Sequence, residues 1–340
     1  MNCLYSIFWM LSYVYLVYGV LARWGDNPDR PIANITEKLK PILNCTVSVM
    51  ELLSSIIKRK KFVTLWNNII SFDESFGLGK ATNPNEVAKG KPPIHRQQMR
   101  QAKNYLWCWI FIGACGWMSV NCNGMIAFEE HYVQNMSYMI VYIGHFAAVS
   151  KFCGLVSLLG QRFAYLNQLV RQQSDEIHKS NSIIMIKKIE TSFQQLMDMS
   201  RSLNDMYSFE LFFLFTNLLY HVLTNAYFMS FWIIFNSHTW SLKIFLAQFS
   251  WMVMFCIQLC SIHLCCEYTS QEANKMARRM FDWHRTIGFD IEEFEPTLHF
   301  MTNQLHFSAA GFFGAGLTSL ASNTKFIAIY LVVLLQINHT

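Results

Sequence analysis

Phe307 to Ile337 reads FSAAGFFGAGLTSLASNTKFIAIYLVVLLQI, and the reading of this stretch decides the fold. It is too long for one upright membrane helix, and Gly311, Gly314 and Gly316 interrupt its start. Its second half, Leu317 to Gln336, has twenty residues. That length crosses a bilayer core of about 30 Å. A helix facing only lipid has no use for Thr318, Ser319, Ser322, Asn323, Thr324 and Lys325. The expectation is a seventh span broken into two half-helices at the glycines, the second half (317–336) lining a water-filled path.

Composition supports a membrane setting. Of 340 residues, 53% are hydrophobic and 14% charged, against about 25% charged in soluble domains. The charge deficit is concentrated in apolar stretches of span length. Chain 1–340 therefore reads as one all-α polytopic membrane domain. The net charge of +5 does not indicate a nucleic-acid partner, because the basic residues flank spans and form no single patch.

Seven spans are expected: Leu4–Leu21, Pro41–Ile57, Leu106–Phe128, Met136–Leu159, Leu211–Phe235, Ile244–Leu264 and the C-terminal stretch. Pro41–Ile57 is short and carries Glu51. The stretch 23–40 reads as a polar loop. Three long connections, 58–105, 161–210 and 267–306, hold ten, six and four Lys/Arg of the 27 in the chain. The first opens Lys58-Arg59-Lys60-Lys61. The second has apolar positions Ile186, Ile189, Phe193, Leu196, Ser200, Leu203 and Tyr207, the spacing of an amphipathic helix. Under the positive-inside rule these connections are cytosolic, which makes the N-terminus cytosolic and the C-terminus extracellular. Sequons at Asn34, Asn135 and Asn338 fall outside in that topology and are candidate glycosylation sites. Asn44 heads a fourth sequon, inside a span.

Such a chain is inverted relative to a G-protein-coupled receptor, and neither Asp-Arg-Tyr after span 3 nor Asn-Pro-x-x-Tyr in span 7 is present. Near the C-terminus, Tyr330 is followed by five apolar residues and Gln336. Upstream, Ser308-Ala309-Ala310-Gly311-Phe312-Phe313 is a small-residue, glycine, aromatic segment at a matching distance. Together with span count, orientation and long inner loops, these residues resemble the insect gustatory receptor family, whose signature is Thr-Tyr, five mostly apolar residues, then Gln-Phe. Ile329 and Ile337 replace the flanking Thr and Phe. The resemblance covers the whole chain. It implies a taste receptor that is a ligand-gated, non-selective cation channel in the plasma membrane of sensory dendrites. It further implies a homo- or heterotetramer around the seventh helices, most subunit contacts at the inner ends of spans 4 to 7, and a small-molecule tastant pocket in the outer half of each bundle.

Residues eleven apart on an ideal helix differ by only about 20° in direction. Lys325 and Gln336 therefore share a face, which Thr318, Ser322, Ile329 and Val332 join. These six are the candidate pore lining, with Ile329 and Val332 as an apolar constriction that gates by dewetting. Tyr330 turns away and is expected to pack on a neighbouring helix. A ring of Lys325 ammoniums opposes cation entry unless the side chain snorkels, is paired, or the subunit assembles with others lacking it. Glu51 and Lys151 are intramembrane charges that need partners or water. The expectation is that Glu51 pairs with Lys151 or Lys325.

Ligand-site candidates are polar and aromatic residues sharing a helix face: Tyr138, Tyr142 and His145 on span 4; Asn225, Phe228 and Trp232, with His221 a turn deeper, on span 5; Trp117 and Asn121 on span 3; Gln248 and Trp251 on span 6. Aromatic walls with a few polar groups suit a small organic ligand. The cysteines match no metal spacing, His145, His284 and His299 have no partners at useful spacing, and no phosphate loop, nucleophile elbow or zinc motif occurs. No enzyme, cofactor or metal is expected. The alternatives are a secondary transporter using Glu51, Lys151 and Lys325 as coupling charges, or a metabotropic seven-span receptor.

Overall fold

A computed structural model describes residues 31–76, 94–128, 132–175, 179–235, 242–287 and 304–337, with positions 11, 14, 18 and 302. Of the first expected span, only Leu11, Val14 and Tyr18 are described; they are helical and exposed.

Among the described residues, seven helices follow in order. They are α1 (Pro31–Ile57), α2 (Arg59–Ser75), α3 (Ile94–Phe128), α4 (Tyr132–Asp175), α5 (Lys179–Phe235), α6 (Leu242–Ile287) and α7 (Leu317–Ile337). All except α2 are long and apolar enough to cross a membrane.

Three expectations are corrected. The stretch 23–40 is not all loop: α1 begins at Pro31 and runs through Pro41. Proline at a first helical position costs no hydrogen bond. The basic run Lys58–Lys61 does not open a loop either, since α2 starts at Arg59. Leu65, Ile69 and Phe72, at i, i+4 and i+7, are buried on one face of α2, which gives this short helix its reason to form. Third, the glycine-rich start of the last span is not a half-helix. Ser308–Ala309 (β1) pairs antiparallel with Phe313–Gly314 (β2), with Ala309 opposite Phe313. The turn places Ala310 at φ 51° and Gly311 at φ 75°, and Phe312 N–H donates to the Ala309 carbonyl at 3.0 Å. Glycine accepts that backbone freely, whereas alanine is strained there.

The bundle is organised on α4. Phe152, Val156, Leu159, Phe163 and Leu166, at heptad-like spacing, are essentially inaccessible. Gly160 lets α6 approach: a Cβ there would stand 2.6 Å from Thr269 Oγ1, and that hydroxyl donates to the Val156 carbonyl at 2.9 Å. Small residues at a crossing allow such backbone proximity. On α5, Ile189, Phe193, Leu196, Ser200, Leu203 and Tyr207 are all buried, so the amphipathic stripe read between spans 4 and 5 is core. At this end α2 is clamped to α4 by a buried pair. Arg162 Nε and Nη2 donate to the two Asp73 carboxylate oxygens at 3.1 and 2.7 Å.

Candidate functional site

Five helices bring polar and aromatic side chains together inside the bundle. Trp117 of α3 stacks on Tyr142 of α4 at 4.7 Å between ring centroids. Phe255 of α6 is the hub, 5.1 Å from Trp117, 5.6 Å from Tyr142 and 4.3 Å from His221 of α5. Tyr138 stacks on Tyr142 at 6.3 Å. From α1, Ser48 Oγ meets His145 Nε2 at 3.0 Å. Asn44 Oδ1 accepts from Asn217 Nδ2 at 3.0 Å and lies 3.1 Å from His221 Nε2.

Several polar atoms in this region are buried without a hydrogen-bond partner among the described residues. They include Trp117 Nε1, Asn44 Nδ2, Asn217 Oδ1 and both amide atoms of Asn225 and of Gln258. A buried unsatisfied polar group costs about 1–3 kcal/mol. The arrangement therefore has hydrogen-bonding capacity to spare, of the kind that buried water takes up.

Of the expected ligand residues, Trp117, Tyr138 and Tyr142 are joined by ring contacts and His145 by Ser48. Asn121 is fully buried one turn from Trp117, and its Nδ2 donates to the Trp117 carbonyl at 2.7 Å. Asn225 is buried. Phe228 is half-buried beneath the Lys40 ammonium, 5.0 Å from its ring centroid. Trp232 and Gln248 are half-buried further along their helices. Trp251 is drawn elsewhere: it stacks on Phe128 at 5.8 Å and covers Gly124, where a Cβ would meet its ring at 2.6 Å. Asn44, Ser48, Phe255 and Gln258 are the members that sequence reading missed.

A second polar group lies where α1, α4 and α5 meet. Glu51 interacts electrostatically with Glu210 and Lys151, and Ser54 hydrogen-bonds the Glu210 carboxyl. Lys58, in the turn between α1 and α2, donates to the Met206 carbonyl. Burial pushes its ammonium below the usual lysine pKa while Glu210 pulls it back up. Lys151 is exposed and its ammonium lies 5.6 Å from the Tyr207 ring centroid. Of the two partners expected for Glu51, Lys151 is the one whose charge it feels; the second carboxylate, Glu210, was not anticipated.

On α7, Thr318, Ser322, Lys325, Ile329, Val332 and Gln336 are all exposed. The opposite stripe, Leu320, Asn323, Ile327, Leu331 and Leu334, turns inward, and among the described residues α7 packs mainly on α5, α6 and β2. Tyr330 is exposed, and its ring centroid lies 4.2 Å from that of Phe326 on the same helix. Only 6% of this helix is buried, against 61% for the spanning stretches of α4 and α5. The hairpin fixes its start. Asn204 Oδ1 and Ser208 Oγ accept from the Ser308 and Ala310 N–H groups at 2.9 and 2.8 Å, and Glu267 Oε2 accepts from Leu317 N–H at 3.1 Å.

Sequons Asn34 and Asn135 fall within α1 and α4 and not in loops. Asn338 lies outside the described residues.

Comparison with solved structures finds the insect olfactory receptor OR5 from Machilis hrabei, at 15% identity and a TM-score of 0.66, covering 98% of this chain and 88% of that one. The same receptor in complex with eugenol matches at 14% identity and a TM-score of 0.65, covering 98% and 87%. At such identity the likeness establishes the fold. No curated protein matches the chain. A family model described as 7tm Chemosensory receptor matches residues 1–338. The multi-span helical bundle and a match over almost its whole length place the chain in the 7tm chemosensory receptor family.

Proposed function

We propose that the protein is a taste-type chemosensory receptor and the subunit of a ligand-gated cation channel, with α7 lining a pore at the centre of a homo- or heterotetramer. The observation that carries this reading is the bareness of α7. A helix with a stripe of Thr318, Ser322, Lys325 and Gln336 and little cover from its own chain suits a place with water on that stripe and neighbouring subunits or lipid on its other exposed faces. The ligand is a small organic molecule held among Trp117, Tyr142, His145, His221, Asn225 and Phe255. The solved olfactory receptor with eugenol is in keeping with such a guest. The N-terminus is cytosolic, the C-terminus extracellular, and the protein sits in the sensory plasma membrane. Ligand opens the channel by binding the open state more tightly than the closed one.

The test is heterologous expression with current recording, alone and with related subunits, comparing Lys325→Ser with the unmodified chain. Removing four ammoniums from a cation pathway raises unitary cation conductance several-fold and lowers anion permeability. Unchanged conductance and selectivity would take Lys325 off the pore face.

A further inference from the structure

The thiols of α4 and α6 play no part in the channel reading, yet two of them meet beside the crossing that organises the bundle. Cys153 of α4 is buried and Cys265 of α6 half-buried, and both are free thiols. The Cys153 S–H donates to Cys265 Sγ. Ser157, one turn further along α4, donates from Oγ to the same sulfur at 3.4 Å. Cys265 therefore sits between two side chains of one α4 face. One turn beyond it on α6 is Thr269, which bonds the Val156 carbonyl and fills the space left by Gly160.

Two features set this pair apart from the other cysteines. One is the direction of the hydrogen bonds. A sulfur that accepts two of them is the one that gives up its proton most readily, and the thiolate is the nucleophile. Cys265 accepts from both Cys153 and Ser157, whereas Cys153 is the donor. The other is geometry. The two thiols face each other across a close helix crossing, and side-chain rotation is what brings such a pair to the disulfide bond length of about 2 Å. Cys266 lies within electrostatic reach of both sulfurs, but it is fully buried.

We infer that Cys153 and Cys265 form a redox site, in which a hydroperoxide oxidises Cys265 and Cys153 resolves it to a disulfide that staples α4 to α6. The Cys265 thiolate attacks a peroxide oxygen and the O–O bond breaks. The products are a sulfenic acid and, from hydrogen peroxide, a hydroxide that is protonated to water. The Cys153 sulfur then attacks the sulfenic sulfur, the S–O bond breaks, and the hydroxide leaves with the Cys153 proton as a second water. In sum, two thiols and one hydrogen peroxide give one disulfide and two waters, with two electrons passing from sulfur to oxygen. On the cytosolic reading of the long connections, Cys265 stands at the inner end of its span. A reducing cytosol keeps the pair as thiols at rest and makes the disulfide a transient, sensing state. The staple fixes α6 two residues before Glu267, whose carboxylate fastens the first turn of α7.

The experiment treats the purified full-length protein in nanodiscs with hydrogen peroxide, caps the remaining thiols with iodoacetamide and maps its peptides by mass spectrometry without reduction. A peptide pair linked through Cys153 and Cys265 appears, and dithiothreitol removes it. A link from either residue to Cys266 or Cys260 overturns the pairing, as does sulfinic acid on Cys265 with no link at all. This mapping is made on the unmodified chain and does not rely on a variant's folding. In Cys153→Ser the sulfenic acid on Cys265 persists and dimedone traps it. Dimedone label on Cys153 in Cys265→Ser, at the rate seen for Cys265, overturns the assignment of the attacking thiol. Cys115→Ser, exposed on α3, links as the unmodified chain does. The linked protein melts several degrees above its reduced form, because the bond constrains the unfolded chain; equal melting overturns the staple.

Discussion

The bundle interior around Phe255 and the last helix, α7, are built on opposite terms. Phe255 touches Trp117, Tyr142 and His221, and every element that contributes belongs to one chain. α7 has a similar number of apolar residues per turn, but its own chain covers one narrow stripe of it. The first region is finished when the subunit folds. The second is left with most of its surface uncovered by its own chain, and in the proposed channel other subunits complete it. Substitutions in the two should therefore differ in what they damage: monomer stability in one, assembly and conduction in the other.

The largest effect that sharpens this contrast is expected of Phe255→Ala. Removing the ring at the hub costs about 3–5 kcal/mol and lowers the melting temperature of the detergent-solubilised protein at any protein concentration. Gly113→Ala comes next. A Cβ there would lie 2.0 Å from the Phe146 ring, and overpacking of this kind costs about 1–3 kcal/mol, again read in the melt. Ala310→Gly acts in the opposite direction. It relieves a left-handed backbone position occupied by alanine and raises stability by about 1 kcal/mol. The smallest effect is expected of the paired change Ile329→Ala, Val332→Ala. Both side chains are exposed in the subunit, so its melt moves by no more than about 0.5 kcal/mol, while the closed-state leak current rises. A large loss of subunit stability from that pair would break the contrast outright.

What the sequence reveals follows from how each signal is written. Spans 3 to 6 stand out because their apolar runs are long and, apart from Lys151 in span 4, uncharged. The faces of α7 can be read because a helix repeats its direction every eleven residues, and the stripe that turns inward lies opposite the six expected pore positions. The stripe from Ile189 to Tyr207 is legible by the same logic. α2 was missed because Lys58–Lys61 drew attention to charge, although Leu65, Ile69 and Phe72 held the helical spacing. The hairpin was missed because glycines between apolar residues read equally well as a kink. Phe255 and Gln258 look like ordinary members of an apolar span, and only the folded arrangement picks them out. Asn44 was read as a sequon, whereas it is a buried partner of Asn217 and His221. Glu210 stood at a predicted boundary, where a charge raises no question.

The hairpin before α7 has a mechanical consequence. Its backbone is fastened to α5 by Asn204 and Ser208, and the first turn of α7 to α6 by Glu267. Beyond those bolts the helix runs for 21 residues, about 30 Å at 1.5 Å per residue. Its inward stripe keeps it against the bundle, so it is a lever guided along one side and anchored at one end. A tilt of about 5° at the clamp sweeps its tip through roughly 3 Å over that length, comparable with the radius of a hydrated cation pathway. In the proposed channel, the three fastening side chains are the gearing: through them a small rotation of the bundle becomes a stroke at the tip of α7.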